Sequence, residues 1–133
     1  MMTGLDTNVL VRYFVKDDAR QAEKASACIR KTVADGGSCF LNTTVLCELV
    51  WVLEAAYDYK RQEIAELLER MLATRQFEIE AKDIVRQAVQ DYRKGGADMA
   101  DCLIGRVNHA HGCDRTVTFD KALRNSSFFE VLT

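Results

Sequence analysis

Four acidic residues, Asp6, Glu48, Asp101 and Asp120, stand in four separate stretches of the chain, each where an apolar segment meets a loop or a helix. Asp6 lies in Gly4-Leu5-Asp6-Thr7-Asn8, Glu48 inside the run Val45 to Val52, Asp101 in Ala100-Asp101-Cys102-Leu103-Ile104, and Asp120 in Thr118-Phe119-Asp120. Carboxylates are costly to bury unless something cationic holds them. Hard divalent cations such as Mg²⁺ take oxygen ligands, and acidic pockets that hold them typically handle phosphates. The pattern points to a metal-dependent enzyme acting on a phosphodiester.

Each acid alone has an ordinary explanation. Asp6 and Asp120 can serve as helix N-caps. Asp98 follows Gly95-Gly96 and precedes Asp101 by three residues, which resembles a capping box. Glu48, flanked by Leu46, Cys47, Leu49 and Val50, faces the edge of a core and needs a partner, which an arginine would satisfy as well as a metal. Asn8 can bond its local backbone, and Thr118 can be a plain strand residue. Together, however, four unpaired carboxylates repel and their pKa values rise, a problem that a doubly charged cation resolves.

The elements that must position these acids follow from apolar spacing and from the residues that break it. Residues 2–5 form a short strand with Asp6 at its carboxyl end, and Val9 to Phe14 a short helix capped by Asp6-Thr7-Asn8. Asp18 to Ala34 carries apolar residues at helical spacing and stops at Gly36-Gly37. Ser38 to Leu41 reads as a strand. Helices follow at about residues 45–57 and 60–73, then a strand or extended link at 77–80 and a helix at 83–94 that ends at Gly95-Gly96. Asp98 caps a helix over 99–111. A β-branched strand at 116–119, a helical turn at 120–123 and a last strand at 128–132 complete the chain. Alternating strands and helices predict an α/β fold with a mostly parallel sheet. Ligand sites in such sheets lie off the carboxyl ends of strands, where Asp6 and Asp120 are placed. Glu48 and Asp101 are assigned to helix starts, where free backbone N–H groups tolerate negative charge.

A length of 133 residues suits one domain with a real core, and 48% hydrophobic residues suit a soluble globular protein. No apolar stretch is long enough to cross a bilayer. The N-terminus has no basic region before its apolar residues, so it does not read as a signal peptide, and a cytoplasmic location is expected. A net charge of −2 and a pI near 5.7 do not favour a general nucleic-acid binder, but a carboxylate-rich nuclease site lowers net charge by itself. The five cysteines form no C-x-x-C pair, which suggests buried, reduced thiols. A zinc site from Cys102, His109, His111 and Cys113 is disfavoured, because the two histidines, two apart, point to different sides of a helix.

These segments, in this order and spacing over essentially the whole chain, resemble the PIN domain family, and within it the VapC-type toxins of bacterial type II toxin–antitoxin modules. The motifs carrying the likeness are Leu5-Asp6-Thr7-Asn8-Val9-Leu10, Glu48 within Val45 to Leu53, Ala100 to Ile104, and Val117-Thr118-Phe119-Asp120. The resemblance implies a single PIN-like domain over residues 1–133, an α/β/α sandwich that cleaves RNA with Mg²⁺ or Mn²⁺. It implies an acidic core of Asp6, Glu48 and Asp101, often joined by Asp120, with Asn8 and Thr118 as orienting polar residues. Asp98 is outside the general pattern. It also implies a homodimer and a cognate antitoxin whose tail covers the acidic pocket. On this reading Asp6 and Asp101 bind the metal most directly, Glu48 and Asp120 complete the shell, and a metal-bound water attacks the phosphate.

Two rivals stand beside this. An aspartyl-nucleophile phosphatase opens with a second Asp two residues after the first, whereas Asn8 occupies that place here. The other is a degenerate module that binds RNA or a partner protein without cutting; the presence of all four acids argues against degeneration, although an inactive, metal-binding protein has the same sequence pattern. Arg12, Lys16, Arg106, Lys121 and Arg124 are candidates for steering RNA, each with solvated surface charge as its plain alternative. The apolar stretches 9–14, 51–59 and 67–72 are candidates for a dimer or antitoxin groove, with core packing as the default.

Overall fold

The computed structural model describes residues 1–133. Chain order is β1 (Met2–Gly4), α1 (Thr7–Val15), α2 (Ala19–Ala34), β2 (Ser38–Leu41), α3 (Thr43–Tyr57), α4 (Arg61–Ala73), β3 (Phe77–Ile79), α5 (Lys82–Lys94), α6 (Met99–Ala110), β4 (Thr116–Thr118), a 3₁₀ turn (Lys121–Leu123) and β5 (Phe129–Val131). Every strand pairing is parallel. The strands do not form one sheet, however. β1, β2 and β3 are bonded in that order, with Thr3 opposite Cys39 and Cys39 opposite Phe77, while β4 and β5 make a separate pair. With strands of three or four residues, each ladder has few bonds, and packing holds the layers together. Helices and parallel strands assemble as the α/β/α sandwich anticipated above.

The core explains the helices. α3 buries Val45, Leu46, Leu49, Val50 and Leu53, a wide apolar stripe that leaves Glu48 and Trp51 exposed. α5 buries Val85, Ala88, Val89 and Tyr92 at i, i+3, i+4 and i+7. Each fully buried Leu or Val here adds roughly 1.5–3 kcal/mol relative to an exposed one. Asn42 caps α3 through its side chain, which accepts from the Val45 N–H at 2.8 Å. Gly95 ends α5 at φ +92°, a conformation other residues rarely adopt. Gly105 lets α6 approach the end of the chain closely, since a Cβ there would lie 3.0 Å from Phe129 Cε2.

The cysteines depart from the expectation of buried thiols. All five are free, but Cys28 and Cys113 are exposed, and only Cys39 and Cys102 are buried. No helix is long and apolar enough to cross a membrane.

Candidate metal centre and its surroundings

α1 begins just past the end of β1, so Asp6 occupies the N-cap position of α1 in extended backbone geometry. Its side chain makes no capping hydrogen bond. The plain reading of Asp6 as a cap therefore fails, and the carboxylate is left exposed beside the helix start. Thr7, the next residue, is the one buried polar side chain in the chain. Its hydroxyl donates to Glu48 Oε1 at 2.9 Å, tying α1 to α3. Asp6, Thr7, Asn8, Glu48, Trp51 and Ala100 line one open hollow of about 410 Å³, together with Cys47 and Val52.

Glu48 differs from its expected placing. α3 starts at Thr43, so Glu48 is its sixth residue, beyond the free N–H groups of the first turn. It is exposed rather than set in the core edge, and the hydroxyl of Thr7 holds it where an arginine was the alternative.

The remaining acids gather at the start of α6, which packs against α3 and α5. Asp98 is a true cap, its carboxylate accepting from the Asp101 N–H at 2.8 Å. Asp101 lies in the first turn, as expected. Burial pushes the Asp101 carboxyl up to about 6, aided by the negative charge of Asp98, a hydrogen bond between the two carboxyl groups and the charge of Asp120. Burial, and the same Asp98 charge, raise the Cys47 thiol, and Ala100 on α6 lines the same hollow as Cys47 and Glu48 on α3. Asp120 caps the 3₁₀ turn through the Ala122 N–H at 2.9 Å. Thr118 Oγ1 accepts from the Asp120 N–H at 3.1 Å, so Thr118 shapes the loop that carries Asp120 rather than serving as a bare strand residue.

Asp6, Asn8 and Glu48 thus line one hollow with Ala100, while Asp98 and Asp120 lie close enough to Asp101 to disfavour its charge. No ion pair of the molecule involves any of these five acids; all are made by other carboxylates. Nor do three Asp, Glu, His or Cys side chains close into a ready ligand cage, here or at the cysteine and histidine residues considered for zinc.

Two of the basic residues considered for RNA steering are committed elsewhere. Arg12 pairs with Asp17 at 2.9 Å and donates to Gln21. Arg106 makes a two-pronged pair with Asp91 at 2.6 and 2.9 Å and stacks on Phe128. Lys16, Lys121 and Arg124 are exposed and make no ion pair. Of the apolar stretches, Leu67, Leu68, Met71 and Leu72 are core, whereas Trp51 is exposed.

Thr7, the partner of Glu48, is not among the residues that acidic character picks out. Its signal was present: Thr7, Leu10, Val11 and Phe14 fall at i, i+3, i+4 and i+7, so a hydroxyl stands on the inward stripe of a helix.

Parallel strands layered with helices, Asp6 following β1 and Asp120 following β4, define an α/β protein. The PIN domain model matches residues 4–128, and the chain belongs to that family. It is similar to the VapC ribonuclease of Aquifex aeolicus (strain VF5), 28% identical over 127 residues, covering 96% of this chain and 93% of the relative. No solved structure matches significantly.

Proposed function

We propose that this chain is a metal-dependent endoribonuclease, the toxin of a bacterial type II toxin–antitoxin pair. The observation that carries this reading is that Asp6 and Glu48 share one hollow and Asp98 and Asp120 bear on Asp101, with none of the five in an ion pair, in a PIN-family chain similar to a VapC ribonuclease. The donors suit Mg²⁺ or Mn²⁺, being all hard oxygens.

Such an ion, when bound, supplies a Lewis acid for a phosphate oxygen and a water of lowered pKa. Asp6, whose side chain has no capping duty, and Asp101 would hold the ion most directly. Glu48, fixed by Thr7, and Asp120, fixed by the Thr118 loop, would complete the shell through water or hold a second ion. Asn8 orients the site, and Asp98 sets the first turn of α6 and adds to the negative charge on Asp101. Residues 1–133 act as one nuclease domain in the cytoplasm, as a homodimer restrained by an antitoxin protein, with RNA as substrate.

The test is cleavage of a mixed RNA pool by purified protein with Mg²⁺ or Mn²⁺, and then with chelator. Cleavage is expected only with metal, and Asp6→Asn is expected to lower it on the order of 100-fold or more, the scale of removing one electrostatic group from a site, with an unchanged circular dichroism spectrum. A fully active Asp6→Asn protein would overturn the site assignment.

A further inference from the structure

We propose that Trp51 stacks on an unpaired nucleobase next to the scissile phosphate, making it a specificity-determining residue for single-stranded RNA; this rests on the ribonuclease reading above. Trp51 lies three residues beyond Glu48 on α3, one turn along the same face. That face is turned from the core, in which Leu49 and Leu53 are fully buried. Trp51 is 69% exposed, an unusual state for the largest apolar side chain. Of the large hydrophobic residues left exposed, Met1, Met2 and Leu132 lie near the chain ends, and Ile104, Val117 and Phe119 are not in the hollow that holds Asp6 and Glu48. Trp51 is in it.

The chemistry fits a base better than the phosphate. The hollow carries carboxylates and no basic side chain among its lining residues, so it offers little direct attraction to a polyanion. A flat aromatic face supplies binding that is independent of charge and tolerant of base identity. In a duplex both faces of each base are already stacked, so the ring favours a strand whose bases are free to splay out.

Trp51 is the sole tryptophan, so intrinsic fluorescence reports on this ring alone. Wild-type protein in Mg²⁺ is titrated with a hydrolysis-resistant, phosphorothioate-linked single-stranded oligoribonucleotide and with its abasic counterpart. Quenching is expected with the first and largely absent with the second. In cleavage assays Trp51→Ala is expected to raise KM roughly 5- to 150-fold, the range for losing one stacked base, with a much smaller change in kcat, and Trp51→Phe to recover most of the loss. The exposed position makes both variants compatible with the fold, which thermal melting checks.

Absence of quenching overturns the proposal, as does an unchanged KM in Trp51→Ala. So does a Trp51→Ala protein that changes oligomeric state on gel filtration while keeping its RNA KM, which would place the ring in a protein contact. Base-dependent quenching without any cleavage leaves stacking standing and removes the ribonuclease reading. Metal-dependent cleavage that ignores Trp51→Ala does the reverse.

Discussion

Asp101 shows what gathering acids costs and what relieves it. Its carboxyl rises to about 6 because burial and the neighbouring Asp98 and Asp120 disfavour its charge. The folded protein therefore binds this proton more tightly than the unfolded chain does. The stability tied to Asp101 is fully present below the ordinary carboxylate range, falls as pH rises through about 6, and stays lower above it. Asp101→Asn removes that loss, so in metal-free buffer its melting temperature is expected to gain more over wild type at pH 7.5 than at pH 4. Equal gains at both pH values would show that the carboxylate is not under repulsion. The repulsion itself was legible from residue types once the acids were taken as neighbours. The hydrogen bond from Thr7 to Glu48 was not, because nothing local in the sequence says which side chain on α3 the inward hydroxyl of α1 meets.

At the scale of elements, α6 must be held so that its first turn faces α3. Arg61, at the start of α4, does this from behind. Its Nη1 donates to the carbonyls of Tyr92 at 2.9 Å and Ala97 at 2.7 Å, and its guanidinium lies 4.4 Å over the Tyr92 ring. It thereby fastens the end of α5 to the residue just before Asp98. Tyr92 is itself held by a hydrogen bond to Glu54 on α3. Arg61→Ala leaves two carbonyls without this charged donor and is expected to cost about 2 kcal/mol, the scale of a hydrogen bond to a charged group, read from urea denaturation midpoints. A loss near zero would mean that water replaces the guanidinium without consequence. Element positions were readable because the chain punctuates itself: Asn42 and Asp98 cap, and Gly36 and Gly95 stop helices at positive φ. The start of α3 at Thr43 was placed two residues late, since a Thr-Thr pair reads equally as loop or first turn, and Glu48 was misplaced with it. The splitting of the strands into two parallel sets was also not readable, because alternation fixes a strand's faces and not its neighbours.

For the whole molecule, the balance of charge matters more than its sum. Seven ion pairs are spread over the helices and the β4–β5 edge, yet the acidic site has none. A divalent ion that binds the folded state alone should stabilise it in proportion to its saturation, by about 2.7 kcal/mol at a hundred times its Kd. Millimolar Mg²⁺ or Mn²⁺ is therefore expected to raise the melting temperature of wild type and to do so far less for Asp6→Asn, as differential scanning calorimetry would read. An equal rise in both proteins would locate the ion elsewhere. The sequence by itself determined the order and type of nearly every element, the acids worth following and the parallel α/β class, because caps, glycines and apolar periods act over a few residues. Only the tertiary structure decided that Asp6 is free of capping, that Thr7 holds Glu48, that Arg12 and Arg106 are committed to other carboxylates, and that Trp51 stands over the acidic hollow. Those facts depend on which distant side chains meet across the core, and packing in three dimensions selects them.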